Sequence, residues 1–455
     1  MTYMTLFSRS LAATLALVIL LIPRTAAAQE AQVVSFNDAV RIALQQNVSL
    51  KRTANSMEID AIALQQARSS YLPNLNVSFS GSENYGRTFS QEQLAFINQS
   101  SNFLSARANS SITLFDGMSR VADNRQASYN LEASDFNYQR QQQAVVFNVM
   151  SQYLILLERR ETIRIQEENL ASQQQQLEQI QEFTNVGERP ISDLYQQQAA
   201  VANAELAVLN AERAYQISEV NLIQVLQLDP FGQYEFVAPT VSDNDLVPEM
   251  YEIPTMLREA FGTRADLKAS ENAILAAEQG IAFARAGFMP SLSLSIGSGT
   301  NYTNQNTRFD FQEQFFDNNL SSSVGLSLNV PLFNRFGNRN AVERARVQYE
   351  NARLNLQDLQ QNIALDVRQA YLDYITAEKA LDVTEKQEIS AQQALTAAQE
   401  RYNLGSATLV ELSQAQAAYV QAESDRNQAR YDFLFRKKLI DYYLGKLDPA
   451  ETLFE

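Results

Sequence analysis

Residues 183–205 read FTNVGERPISDLYQQQAAVANAE, and residues 401–423 read RYNLGSATLVELSQAQAAYVQAE. Gly187 and Gly405 stand 218 positions apart (405 less 187), and Leu194/Leu412, Ala199/Ala417 and Glu205/Glu423 keep that spacing. Upstream, ARSSYLPNLNVSFSGSENYG from Ala67 answers ARAGFMPSLSLSIGSGTNYT from Ala284 at a spacing of 217, and Phe115 answers Phe333 at 218. A period this long is a duplicated module rather than a short-repeat solenoid. Each half therefore carries one copy of every element.

Composition narrows the function classes. The 455 residues include no Cys, no His and no Trp. Disulfides, thiol nucleophiles, Cys/His metal sites and histidine bases are thereby removed, and no cofactor or metal site is expected. Carboxylate chemistry stays open to an enzyme, but a non-enzyme is expected. A formal charge of −16 without a basic stripe argues against nucleic acid. Residues 1–28 read as a signal peptide: Arg9, an apolar run from Leu11 to Ile22, and Ala26-Ala27-Ala28 as the cleavage pattern. That run is too short to span a bilayer as a helix, and export is expected.

The remainder follows a helix, strand, strand, helix, helix order, twice. The first repeat, 29–228, is expected to hold a helix over 36–72, strands over 74–86 and 103–115, a long helix over 117–185 and a helix over 190–228. Residues 229–254, with four prolines, form a linker or collar. The second repeat, 255–445, is expected to hold a helix over 255–288, strands over 291–303 and 322–333, a long helix over 337–403 and a helix over 408–444, before a tail over 446–455. Pro73 and Pro290 end helices, because proline disfavours a helical residue before it. After each the period becomes two: Leu75, Val77 and Phe79 alternate with Asn76, Ser78 and Ser80, and Leu292, Leu294 and Ile296 with Ser293 and Ser295. Polar loops are expected over roughly 87–102 and 304–320.

Strands with one apolar and one small polar face, edged by Tyr71, Phe115, Phe288, Phe333 and Phe336, suit an outer-membrane barrel. Four strands cannot close one, and an open edge in lipid leaves backbone groups unsatisfied. Three copies would supply twelve. The expected class is thus an α+β membrane protein: a homotrimeric channel with a 12-stranded β-barrel, four strands per chain, continued by a 12-helix α-barrel. Each long helix would run about 100 Å at helical rise. Val149, Leu156, Ile163, Leu170 and Leu177 form a seven-residue ladder that recurs as Val367, Tyr374, Leu381, Glu388 and Leu395, which implies coiled-coil packing. The two shorter helices of each half, placed end to end, match one long helix.

These residues resemble the TolC-like outer-membrane efflux channels over essentially the whole mature chain. The sharpest part is the pair of turns: Asn185-Val186-Gly187 before Ile191-Ser192-Asp193-Leu194, and Tyr402-Asn403-Leu404-Gly405 before Leu409-Val410-Glu411-Leu412. The resemblance implies a trimer in the outer membrane of a Gram-negative bacterium, with most of the chain in the periplasm. It implies a passive exit duct of a tripartite efflux system, working with a periplasmic adaptor protein and an inner-membrane pump of resistance-nodulation-division or ABC type. An exit duct for type I protein secretion is the alternative; a periplasmic coiled-coil scaffold is the rival from another class. By position, the adaptor-docking tips fall on Val186, Gly187 and Glu188 and on Leu404, Gly405 and Ser406. The periplasmic gate falls on Asp193 and Tyr402 as a closing pair, Glu411 as an acidic ring, and Gln414 at a second ring position where the charge is missing. Ala407 stands where a locking arginine is often found, with Arg189 as a candidate replacement.

Overall fold

The computed structural model describes residues 32–90, 94–237 and 243–447; the signal peptide and most of the expected tail lie outside them. The elements in chain order are β1 (Gln32–Val34), α1 (Phe36–Gln46), α2 (Val48–Ser69), β2 (Asn74–Ser90), β3 (Ala95–Phe115), α3 (Ser119–Asn185), α4 (Ile191–Leu226), β4 (Tyr234–Phe236), α5 (Ile253–Thr263), α6 (Ala265–Ala286), β5 (Ser291–Thr303), β6 (Ser321–Asn329), α7 (Gly337–Asn403) and α8 (Leu409–Leu444). The described residues fall into two compact units, one built from 32–45, 149–237 and 243, the other from 46–90, 94–148 and 244–447. The units cut across the repeats, because α3 contributes to both.

In the first unit β1 pairs in parallel with β4. Tyr153 of α3 is fully buried beneath them, edge-on to Phe36 at 5.3 Å. Its hydroxyl donates to the carbonyls of Val34 and Val237. In the second unit Ile363, Val367, Ala370, Tyr374 and Ala377 make a stripe on α7, alternating four- and three-residue steps as packed helices require. The stripe meets Phe433, Ile440 and Leu444 of α8 and Met256 and Ala260 of α5. Tyr374, also fully buried, accepts from Glu249 N at 2.7 Å and donates to Glu249 O at 3.2 Å. Of the seven-residue ladder, Val149, Leu156, Val367 and Tyr374 are buried, whereas Ile163, Leu170, Leu177, Leu381 and Leu395 are only partly so.

The single helices expected over 36–72 and 255–288 are each two. The first breaks at Asn47, whose side chain accepts from Leu50 N at 3.0 Å and so caps α2. The second breaks at Arg264, an extended residue (φ −63°, ψ 125°) held by Asp266. The two breaks stand 217 positions apart (264 less 47), so the break belongs to the duplicated module.

The sheet lies in the second unit, four antiparallel strands in the order β2-β3-β5-β6. Register puts Leu75, Ser110, Ile296 and Val324 in one row, and Ile112, Leu294 and Leu326 in the next. One face is therefore apolar, and it is exposed: Phe79 at 79 %, Val324 at 73 % and Leu326 at 66 %. The other face carries Ser, Asn, Thr and Gly. The aromatic residues Tyr71, Phe115, Phe288, Phe333 and Phe336 are exposed as well. β6 stops at Asn329, short of the expected 333, because Pro331 cannot donate to a ladder.

Both expected loops are structured. Most of 87–102 is a two-stranded ribbon, since β2 runs on to Ser90 and β3 begins at Ala95. Phe89 stands directly opposite Phe96, edge-on at 5.3 Å, with Arg87 over the Phe96 ring, and such cross-strand pairs stabilise a ribbon. Within 304–320 a π-helical turn, Glu313–Asn318, is tied from inside by Gln314. That buried amide donates to the carbonyls of Thr303, Asn306 and Phe309 and accepts from Thr303 N. Among the described residues no helix is long and apolar enough to cross a membrane.

Candidate functional site

The two glycine turns lie in different units, and each is built the same way. α3 ends as Gly187 takes a left-handed conformation (φ 79°), which glycine adopts without steric cost. The amides of Glu188 and Arg189 then return to the Phe183 carbonyl at 2.8 and 3.3 Å, satisfying a carbonyl the helix end would leave open. α7 ends likewise: Gly405 has φ 72°, and Ser406 donates to the Arg401 carbonyl through both its amide, at 2.9 Å, and its hydroxyl, at 3.0 Å. Nothing lies within 4 Å of where a Cβ would stand on either glycine, so both turns face open space. Val186 and Leu404 project from them, 71 % and 83 % exposed.

Beyond each turn the next helix begins. Pro190 precedes α4, where a missing N–H costs nothing. Asp193 sits half-buried in its first turn and accepts from Ser192 Oγ at 3.4 Å. One turn deeper Gln197 is wholly buried, donating to the Gln173 carbonyl at 3.0 Å and its side-chain oxygen at 2.7 Å. In the other unit Thr408 caps α8, its hydroxyl accepting from Glu411 N at 3.3 Å. Tyr402 is buried at the end of α7, whereas Glu411 and Gln414 are exposed on α8.

The Glu411 carboxylate is not alone. Arg401 approaches it across the turn, Nη2 to Oε2 3.6 Å. Ala407, the position where the resemblance misses an arginine, is buried. The cation beside Glu411 is therefore Arg401, at the end of the preceding helix. Sequence reading passed over Arg401 because it lies ten positions before its partner (411 less 401), and only the left-handed turn at Gly405 folds the two together. Among the described residues no group of acidic side chains is placed to hold a metal ion.

Residues 39–226 and 256–445 each match the family model described as outer membrane efflux protein, once per repeat. The chain belongs to that family. Its relatives include the outer membrane protein TolC of Escherichia coli strain K12, 24 % identical over 412 residues that cover 90 % of this chain and 81 % of that protein. Among solved structures, the CmeC outer membrane channel of Campylobacter jejuni superposes with a TM-score of 0.76 at 21 % identity, over 92 % of this chain and 87 % of that one. The outer membrane protein VceC of Vibrio cholerae does so with a TM-score of 0.76 at 18 % identity, over 90 % and 96 %. At such identities the likeness fixes the fold. Family membership carries the outer-membrane efflux assignment.

Proposed function

We propose that three copies of this chain close a 12-stranded barrel in the outer membrane of a Gram-negative bacterium and form the exit duct of a tripartite efflux system. One observation carries this reading. The four-stranded sheet exposes an apolar face and ends in β2 and β6, each paired on one side only within the chain. Lipid would cover such a face, but an unpaired edge in lipid is costly, so β6 of one copy must meet β2 of the next. The helices continue the duct through the periplasm, and the linker over 229–254, pinned by Tyr153 and Tyr374, rings it as a collar. Conduction is passive, and an inner-membrane pump drives it through a periplasmic adaptor.

The tips, Val186, Gly187 and Glu188 with Leu404, Gly405 and Ser406, dock the adaptor. Asp193 and Tyr402 close the entrance together with Glu411, and Gln414 leaves the second ring uncharged. Adaptor binding favours the open arrangement by preferring it. The mass of the particle extracted in mild detergent tests the assembly: three chains are expected, and a folded monomer would overturn it.

The Arg401–Glu411 pair supports a second expectation. Arg401→Ala leaves three bare carboxylates near one axis, so the preference for cations should rise about two- to threefold, while Glu411→Gln lowers it. Reversal potentials in a salt gradient read both, and two unchanged values would place Glu411 off the conduction path.

A further inference from the structure

The polar face of the sheet is nearly neutral. Of the charged residues on the four strands, Glu83 and Arg87 alternate onto the apolar side, and Arg107 is the one charge on the polar side among the described residues. Register places Arg107 in a row with Ser78, Gly299 and Ser321. Its stem lies over Gly299, where a Cβ would stand 3.1 Å from Arg107 Cγ. In the next row Gly297 gives Asn109 the same room, its Cβ position being 2.7 Å from Asn109 Oδ1. The result is a trough of about 210 Å³ bordered by Arg107, Asn109, Asn301 and Ser323. Arg107 is exposed, and no carboxylate among the described residues pairs with it.

We propose that Arg107 is an anion-attracting station inside the barrel and gives its bore a charge preference opposite to that of the acidic tip. The inference rests on the three-chain reading above. Twelve strands spaced about 4.8 Å apart and tilted about 40° set the wall about 12 Å from the axis. Three Arg107 side chains reaching inward then lie within about one Debye length of any ion on the axis at 0.1 M salt. Among the described residues no neighbouring charge on that face offsets them, so their fields add. Elsewhere the chain is acidic, with a formal charge of −16, and would repel an anion. Carboxylate- or phosphate-bearing solutes are the class such a ring would draw forward.

The test uses the full-length protein in planar bilayers under a potassium chloride gradient. Arg107→Ser is expected to lower the chloride-to-potassium permeability ratio about two- to threefold at 0.1 M salt, with little effect at 1 M, where screening shortens to about 3 Å. Arg107→Lys should keep the ratio. Because the chain has no cysteine, Arg107→Cys can also be modified in channels already inserted. A cationic thiol reagent should restore the anion preference and an anionic one reverse it. Conducting channels whose reversal potential ignores both the substitution and the two reagents would overturn the proposal. A wild-type protein that forms no channels would strike the three-chain reading instead.

Discussion

Asp266→Ala is expected to destabilise the protein by about 3–5 kcal/mol, the cost of leaving a buried charge without its partner. Arg264 is only 4 % exposed. Asp266 grips it with two oxygens, Nε to Oδ1 at 3.0 Å and Nη2 to Oδ2 at 2.5 Å, and also faces Arg140 Nε at 3.7 Å. Arg140 has its own fastening, over the Tyr442 ring at 4.0 Å and on the Tyr442 carbonyl at 3.1 Å. Removing the carboxylate would set two guanidinium groups against each other, with only Asp366, 3.9 Å from Arg264 Nη1, to offset them. The exposed pair Arg41–Asp38 is the control, and Asp38→Ala should cost less than about 1 kcal/mol beyond the hydrogen bond from Ser35 Oγ to the Asp38 carboxylate that it also removes. A fall in the urea midpoint at unchanged slope reads the difference; equal effects at the two sites would show that the Arg264 cluster contributes no more than a surface pair.

The same cluster sets a pH dependence. Burial alone would raise the Asp266 carboxyl, but the hydrogen bonds and charge of Arg264, with Arg140 behind it, outweigh burial and hold it below the usual carboxylate range. Its contribution to stability is therefore complete above the ordinary value near 3.9 and is lost as pH falls through the lower folded value. For Asp366 burial wins, and its carboxyl is raised. Mild acid thus relieves Asp366 before it touches Asp266, so the cluster should hold to about pH 4 and fail below it.

Leu326→Arg should cost about 2–4 kcal/mol and deplete the assembled protein from outer membranes, as a cation on the lipid side of a barrel does near mid-bilayer. Leu326 stands in register with Leu294, within the exposed apolar face. Ser327, one residue on, is paired with Ser293 on the polar face, and Ser327→Arg should assemble nearly as well as the unaltered chain. Because a strand's side chains alternate, the two substitutions differ only in which face receives the charge. The amount of assembled protein in membranes from cells expressing each variant checks this. Equal losses would mean that lipid does not cover the Leu326 face.

The sequence made the strands legible because alternation persists wherever one face is apolar, and it held from Leu75 to Phe79 and from Leu292 to Ile296. Beyond Tyr85 the ribbon mixes Arg87 with Phe89, and its polar content concealed a ladder that the Phe89–Phe96 contact supports. The helix breaks were missed for a different reason. Asn47 sits inside an apolar periodicity that continues on both sides, so its capping role has no distinct signature there. Arg264 gives no cap signal at all, since its fastening is a charge cluster assembled from α3, α6 and α7. At the tips, the turns were legible from glycine and spacing. The Arg401–Glu411 contact was not, because glycine marks the turn but not which side chains on either side of it meet across ten positions.

The duplicated helix break constrains the two copies unequally. Both halves kept the break at the corresponding place, yet one secures it with a single asparagine amide and the other with a network of arginines and aspartates. The backbone path was inherited while its fastenings diverged. A substitution at Asn47 forfeits one cap, about 1 kcal/mol, whereas one at Arg264 or Asp266 disturbs several groups at once. A substitution is therefore cheaper in the first copy of this position than in the second, although the two stand at matched places in the duplicated module.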